Sequence, residues 1–319
     1  MRKILFLPVD LYAAGMVGYL LLRTVNARIY IWPVEIISAY LHLLLLPAIP
    51  LLVLSLFLKS RHSAALLGIG AAAYILFFGS LFLPGFKNLD QPIDLTLMTY
   101  NTGNGQAPWN ELEKAIRESG ADIVAIQESV AEEVPLYQRD LSDIYPYQVF
   151  YGSGLEGIGM LSRYPIREEG LTYLTGPRPY LVVDLEIGNR TLTVISFHPP
   201  VIFGPGAAQA VGRADYAMMA DLAVKRGNSI LAGDLNLSDQ NEGYAAIMTR
   251  ELTDAHRESG LGLGLTYPRR FNSKLAFPVI RIDYILTTAE LEPIETWVGE
   301  DGGSDHLPVL ARIVWIREG

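Results

Sequence analysis

Three long apolar runs open the chain, and after about residue 94 the pattern changes to short runs alternating with amphipathic stretches. Residues 4–22 are interrupted by one ionisable side chain, Asp10. A second run within 30–58 contains Trp32, Pro33, Glu35 and His42 before the very apolar 43–58. The third, 63–83, has no charge. Each can supply the roughly 20 apolar residues that cross a bilayer. The expectation is therefore a membrane anchor over 1–88, with three transmembrane helices at about 4–22, 36–58 and 63–83. A cleaved signal peptide is the rival reading of the first run, but no small-residue cleavage site is clear and two further runs follow. Residues 82–94, FLPGFKNLDQPID, read as a linker at the membrane surface.

Beyond the linker, strands are expected at 95–100, 122–126, 147–151 and 157–161, then a hairpin of 180–187 and 191–197 about Gly188-Asn189-Arg190. A buried strand should start at Ser229, with others at 279–286, 292–297 and 307–315. Helical spacing marks 109–119, 131–141, 207–226 and a patch near 243–252. Strands mixed with helices predict one layered α/β domain over 89–319.

Charge refines this division. Residues 1–88 hold seven of the 25 Lys/Arg and two of the 34 Asp/Glu, which leaves 18 basic against 32 acidic side chains in 89–319, a net of −14. Such a domain matches a long polyanion poorly, because nucleic-acid binding rests on Lys and Arg neutralising phosphates. Arg2 and Lys3 precede the first run, and Lys59 and Arg61 separate the second from the third. Holding both pairs in the cytoplasm places everything after residue 83 outside, although Arg23 and Arg28 oppose that bias. The expected location is a multi-pass plasma-membrane protein with an extracytoplasmic domain. Asp10 and Glu35 are read as interfacial groups reaching for water. With no cysteine in the chain, disulfides and thiolate metal sites are excluded.

Polar residues end the apolar runs in a recurrent way: Asn101, Glu128, His198, Asp234 with Asn236, Asp283, and Asp305 with His306. In SILAGDLNLS (229–238), Asp234 and Asn236 share a side at strand spacing. Runs that end this way can bring several strand termini to one sheet edge. Four carboxylates with amides and imidazoles suit a hard cation, Mg²⁺ or Mn²⁺.

Seven segments, TYNTGNG (99–105), DIVAIQE (122–128), GMLSRYPI (159–166), SFHPP (196–200), GDLN (233–236), RIDYIL (281–286) and SDHLPV (304–309), occur in order over roughly 94–315. Together they resemble the endonuclease/exonuclease/phosphatase superfamily, which includes deoxyribonucleases, abasic-site endonucleases, neutral sphingomyelinases and inositol-phosphate phosphatases. The resemblance implies a four-layer α/β/β/α sandwich. It implies metal ligation by Glu128 with Asn101 and Asp305 nearby, and water and phosphate positioning by Asp234 and Asn236. It further implies a base or electrostatic role for His306, supported by Asp283, and places His198 near the phosphate or leaving group. Arg178 resembles a phosphate-facing arginine of some members. The expected activity is a membrane-anchored, metal-dependent phosphoric-ester hydrolase acting near the bilayer on a lipid head group. A metal-dependent nuclease and a non-catalytic membrane receptor or scaffold are the rivals.

Overall fold

The structure is a computed structural model that describes residues 2–29, 31–83, 92–176, 178–200, 208–271 and 274–316. The N-terminal part is helical throughout: α1 (Arg2–Ile29), α2 (Trp32–Ala39), α3 (Leu41–Leu45), α4 (Ala48–Phe57) and α5 (Arg61–Phe78), the last extended by a 3-10 turn, Gly79–Phe82. Pro33 opens α2, where a missing N–H costs nothing. Met16 of α1, Leu41 and Leu45 of α3, Ala48 of α4 and Leu67 of α5 share one interior. A Cβ on Gly70 would lie 2.4 Å from the Met16 side chain, so glycine there lets α5 approach α1.

Three straight spans do not form among the described residues. One helix, Arg61–Phe82, is long and apolar enough to cross a membrane, and only 28 % of its span is buried inside the molecule. The stretches Trp32–Ala39 and Leu41–Phe57 reach that length only together, and they meet at a 75° bend. The bend falls at Tyr40, whose φ of −112° and ψ of 26° leave the helical region. The first helix outruns the expected 4–22, and its C-terminal turns carry Arg23 and Asn26 into polar contacts rather than lipid. Arg23 Nη2 donates to the backbone oxygen and to Oε1 of Gln240, at 2.9 and 3.0 Å. Glu35 is not an interfacial group. It is 2 % exposed and accepts from Asn26 Nδ2, from Asn241 Nδ2 at 2.9 Å and from the backbone N–H of Glu242 at 3.2 Å. The linker lies largely outside the described residues.

The remainder is the layered α/β domain. In chain order come β1 (Leu95–Asn101), α6 (Trp109–Glu118), β2 (Ile123–Gln127), α7 (Val134–Asp140), β3 (Tyr147–Tyr151), β4 (Ile158–Ser162), β5 (Ile166–Thr172), β6 (Tyr180–Ile187) and β7 (Arg190–Phe197). Then follow α8 (Ala208–Arg226), β8 (Ser229–Asp234), α9 (Glu242–Met248), β9 (Thr253–Asp254), α10 (Ala255–Ser259), β10 (Arg270–Phe271), β11 (Lys274–Leu275), β12 (Asp283–Thr287), β13 (Leu291–Val298) and β14 (Val309–Trp315).

Two mixed six-stranded sheets result, in the orders β13-β14-β1-β2-β4-β3 and β5-β6-β7-β8-β12-β9. Alternation dictates their stacking. Leu95, Leu97, Ile123 and Ala125 of one sheet meet Val183, Val194, Ile230 and Ala232 of the other in a shared core. The opposite faces carry helices: Leu112, Ile116 and Tyr137 of α6 and α7 cover the first sheet. Tyr216, Met219, Tyr244 and Ile247 of α8 and α9 cover the second. The layering is helix, sheet, sheet, helix. Besides the two-residue strands β9, β10 and β11, one longer strand escaped the sequence pattern. β5, IREEGLT, is an edge strand with little apolar alternation. The strand expected from 279 begins only at Asp283, because residues 279–282 run beside Tyr267 instead.

Candidate active site

Register explains why the polar residues meet. β1 and β2 pair in parallel with Asn101 opposite Gln127, and β7 and β8 pair in parallel with Phe197 opposite Gly233. The next residues, Glu128, His198 and Asp234, therefore leave the sheets at one edge. β12 is antiparallel to β8 with Asp283 opposite Asp234, and β14 is antiparallel to β1 with Val309 opposite Thr99. Their N-terminal ends, with Asp305 and His306 just upstream of β14, arrive at that same edge. Gln127 Nε2 donates to Ser196 Oγ at 3.0 Å and links the two sheets directly beneath it.

Asp234 is the hub. Its Oδ2 accepts from Asn101 Nδ2 at 3.1 Å and lies 3.6 Å from His198 Nε2 and 3.7 Å from His306 Nε2. Its Oδ1 accepts from the backbone N–H of Asn236 at 2.7 Å. Asn236 holds a φ of 54°, a value asparagine tolerates, and its Nδ2 donates to Pro199 O at 3.0 Å. Asn101 Nδ2 also donates to Glu128 Oε1 at 3.3 Å. The other side of the Asn101 amide accepts from Gly103 N at 3.0 Å. Gly103 is required here: φ is 74° and a Cβ would stand 2.9 Å from Asp305 Oδ1. His306 Nδ1 donates to Asp283 Oδ2 at 2.9 Å, and the Tyr267 ring lies 4.7 Å from the imidazole. Arg178 Nη1 sits 3.0 Å from His198 Nε2 and donates to the oxygens of His198 and Pro199 at 3.3 and 3.4 Å.

Electrostatics divides these groups. Burial works against the His306 imidazolium, but the charge and hydrogen bond of Asp283, with Asp234 and Asp305, outweigh it and carry the ring up to about 10. Burial and the neighbouring Arg178 and His306 charges push His198 down to about 3. One histidine is cationic and the other neutral at neutral pH. Burial raises Asp234 to about 7 despite the His306 charge, and burial also raises Glu128.

Glu128, Arg178, His198, Asp234, Asn236, Asp305 and His306 line a cavity of about 400 Å³. Asn101 and Asp283 lie buried behind that wall. All nine residues singled out in the sequence thus converge. Tyr40, Leu155, Tyr267, Ile280 and Ile282 also line it, and the sequence marked none of them. Tyr40 was hidden in an apolar helical run and the two isoleucines in a strand-like alternation. Tyr267, just before Pro268 in a loop, had the one usable signal.

The donor set fits a hard divalent cation. It is rich in oxygen and imidazole and free of sulfur. The raised Glu128 carboxyl, with Asp305 adding to its repulsion, is buried negative charge that a cation would relieve. Among the described residues, candidate ligand atoms of Asp234, Asp283 and His306 lie within 4.8 Å of one another. This is a different trio from Glu128, Asn101 and Asp305, and two of its members already bond each other.

Fold and site define a two-sheet sandwich with a carboxylate- and histidine-rich edge. Residues 98–306 match the profile of the Endonuclease/Exonuclease/phosphatase family, and the chain belongs to that family. Among solved structures it is similar to a mannosyl-6-phosphatase of Bacteroides thetaiotaomicron, at 16 % identity and a TM-score of 0.56, over 69 % of this chain and 100 % of that one. A 3'-5' exonuclease from Neisseria meningitidis aligns at 17 % identity and 0.55, over 69 % and 100 %. Sphingomyelinase C from Streptomyces griseocarneus aligns at 21 % and 0.50, over 70 % and 99 %. At these identities the likeness establishes the fold. No curated protein matches.

Proposed function

We propose that the chain is a membrane-anchored, divalent-metal-dependent phosphoric-ester hydrolase, and that it cleaves a phosphodiester of a lipid head group. One observation carries this reading. Glu128, Asp234, Asp305, His198, His306 and Arg178 together line a single cavity large enough for a phosphoester.

The roles follow from charge and reach. Glu128, with Asn101 and Asp305 beside it, would hold Mg²⁺ or Mn²⁺, which when bound supplies positive charge to the phosphoryl oxygens and activates water. Asp234, poised near neutrality and held by Asn101 and Asn236, takes the proton from the attacking water. His306, kept cationic by Asp283, faces developing negative charge. Arg178 and Asn236 orient the phosphate. His198, neutral, bonds a phosphate oxygen or the leaving group.

The membrane reading rests on Arg61–Phe82 and on exposed large apolar side chains such as Leu11, Val53, Phe57, Ile75 and Leu76 along the helical part. A nuclease is the second reading, favoured by the Neisseria meningitidis exonuclease likeness and opposed by the net charge of −14 over 89–319.

The test is a panel of soluble phosphodiesters, phosphomonoesters and nucleotides offered to the purified chain with Mg²⁺, Mn²⁺ or chelator. Metal-dependent turnover that Glu128→Gln abolishes is expected. Turnover that survives chelation, or that Glu128→Gln retains, would remove the metal assignment.

A further inference from the structure

The cavity has an apolar half, and the helical segment builds part of it. Tyr40 stands at the 75° bend between α2 and α3 and is 38 % exposed, with its ring at the cavity wall. The preceding residue, Ala39, packs with Ile280, Ile282 and Tyr267 in a small cluster of its own. Ile280 and Ile282, in turn, line the cavity beside Asp234 and His306. Leu155, half exposed, also lines it. The segment leading into Ile280 continues the apolar character outward, since Leu275 is 65 % and Phe277 88 % exposed.

The position of Tyr40 is enforced by buried polar contacts. Glu35, five residues earlier on α2, receives Asn241 Nδ2 on both Oε2 and its backbone oxygen, at 2.9 and 2.8 Å. Asn241 precedes α9, so α2 is bolted to the layered domain close to the GDLN loop. Two further ties run in parallel: Arg257 Nη1 and Nη2 each donate to Phe77 O at 3.4 Å, and Gly262 N donates to Leu81 O at 2.6 Å.

We infer that Tyr40, Ile280 and Ile282 form a subsite for the hydrocarbon portion of an amphiphilic phosphoester, so that the N-terminal helices help select the substrate. This rests on the phosphoesterase reading above. A phosphate gripped by Arg178 and Asn236 leaves one ester substituent facing the tyrosine and isoleucines. That wall offers methylenes a dry surface and offers a sugar or nucleotide no hydrogen-bond partner beyond the two tyrosine hydroxyls. A substrate with a short polar substituent would leave it wet. Tyr40 is therefore a specificity-determining residue, and Glu35 positions it.

The experiment uses the full chain in nanodiscs with Mg²⁺ and a series of alkyl 4-nitrophenyl phosphates from methyl to octyl. Turnover is read by absorbance, and binding of the corresponding alkyl phosphates is read by calorimetry. In the unaltered chain kcat/KM and affinity should rise by roughly threefold per methylene until the wall is covered. Tyr40→Ala should flatten both slopes, costing the octyl member far more than the methyl one, while Tyr40→Phe should keep them. A flat series in the unaltered chain, in both readouts, would overturn the subsite. So would a Tyr40→Ala variant that loses all members equally, the mark of a merely structural role. Chain-length-dependent binding that needs Tyr40, without turnover of any ester, would uphold the subsite and overturn the hydrolase reading instead.

Discussion

At the scale of single residues, position along the chain carried most of the chemistry. A polar side chain that ends an apolar run projects from a strand terminus, and strand termini in mixed sheets share edges. That is why Asn101, Glu128, His198, Asp234 and Asp283 were legible without coordinates. The charge states were not, because they depend on which partners lie within 4 Å. His306 and His198 are equivalent as letters, yet Asp283 keeps one cationic, and burial with the neighbouring Arg178 charge keeps the other neutral. Two predictions belong here. His306→Ala and Asp234→Asn should each lower kcat by on the order of a hundredfold or more with smaller changes in KM, measured by steady-state kinetics on a soluble diester. Unchanged kcat in both would mean that the cavity is not where chemistry occurs. Asp283→Asn keeps the shape beside His306 but removes its counter-charge. It should lower kcat in the same direction, by about tenfold or more, with the fold intact by circular dichroism.

At the scale of elements, apolar periodicity placed most of the longer strands and helices of the layered domain. It failed where an element is not built on burial of one face. β5 is an edge strand of mixed polarity. Residues 279–282 alternate like a strand but are drawn off by the N–H groups of Val279 and Ile280, which donate to Tyr267 O. Beneath the site a buried ionic group that no pattern revealed joins several elements. Arg281 donates to Asp254 Oδ2 at 2.8 Å and to Asp239 Oδ2 at 3.0 Å, and Arg257 reaches Asp239 at 2.6 Å. Burial alone would raise the Asp254 carboxyl, but Arg281 and the bonds from Tyr244 and the Arg257 backbone outweigh it and hold the group at about 2. The folded value lies below the ordinary carboxylate value near ~4. The stabilisation is therefore complete above about pH 4 and is lost as pH falls toward 2. Asp254→Asn should lower stability at pH 7 by about 3 kcal/mol and flatten the acid limb of the denaturation profile. An unchanged limb would show that Asp254 is not the group titrating there.

At the scale of the whole molecule, the sequence separated an apolar half from an acidic one but not the way they join. Hydropathy treats an apolar run as a bilayer span, and it is blind to a glutamate whose carboxylate accepts a hydrogen bond from an amide 206 residues away. Glu35 holds α2 against the layered domain and Tyr40 lines the site, so the helical segment and the layered domain share buried contacts. Glu35→Leu would leave the Asn26, Asn241 and Glu242 donors without their acceptor. A loss of about 1–3 kcal/mol is expected, read as a lowered Tm. Topology is checked separately: reporters fused within 59–62 should lie in the cytoplasm and reporters after residue 83 outside it, and the reverse would put the site inside the cell. The central claim, metal-dependent cleavage of lipid phosphoesters, is tested most directly by one competition. The full chain in phospholipid nanodiscs is given Mg²⁺ and duplex DNA together at physiological salt, and water-soluble phosphate products and DNA fragments are quantified side by side. Release of phosphorylated head group that chelator stops is expected, with the DNA left intact. Efficient chelator-sensitive cleavage of the DNA, with no phospholipid consumed, would contradict it.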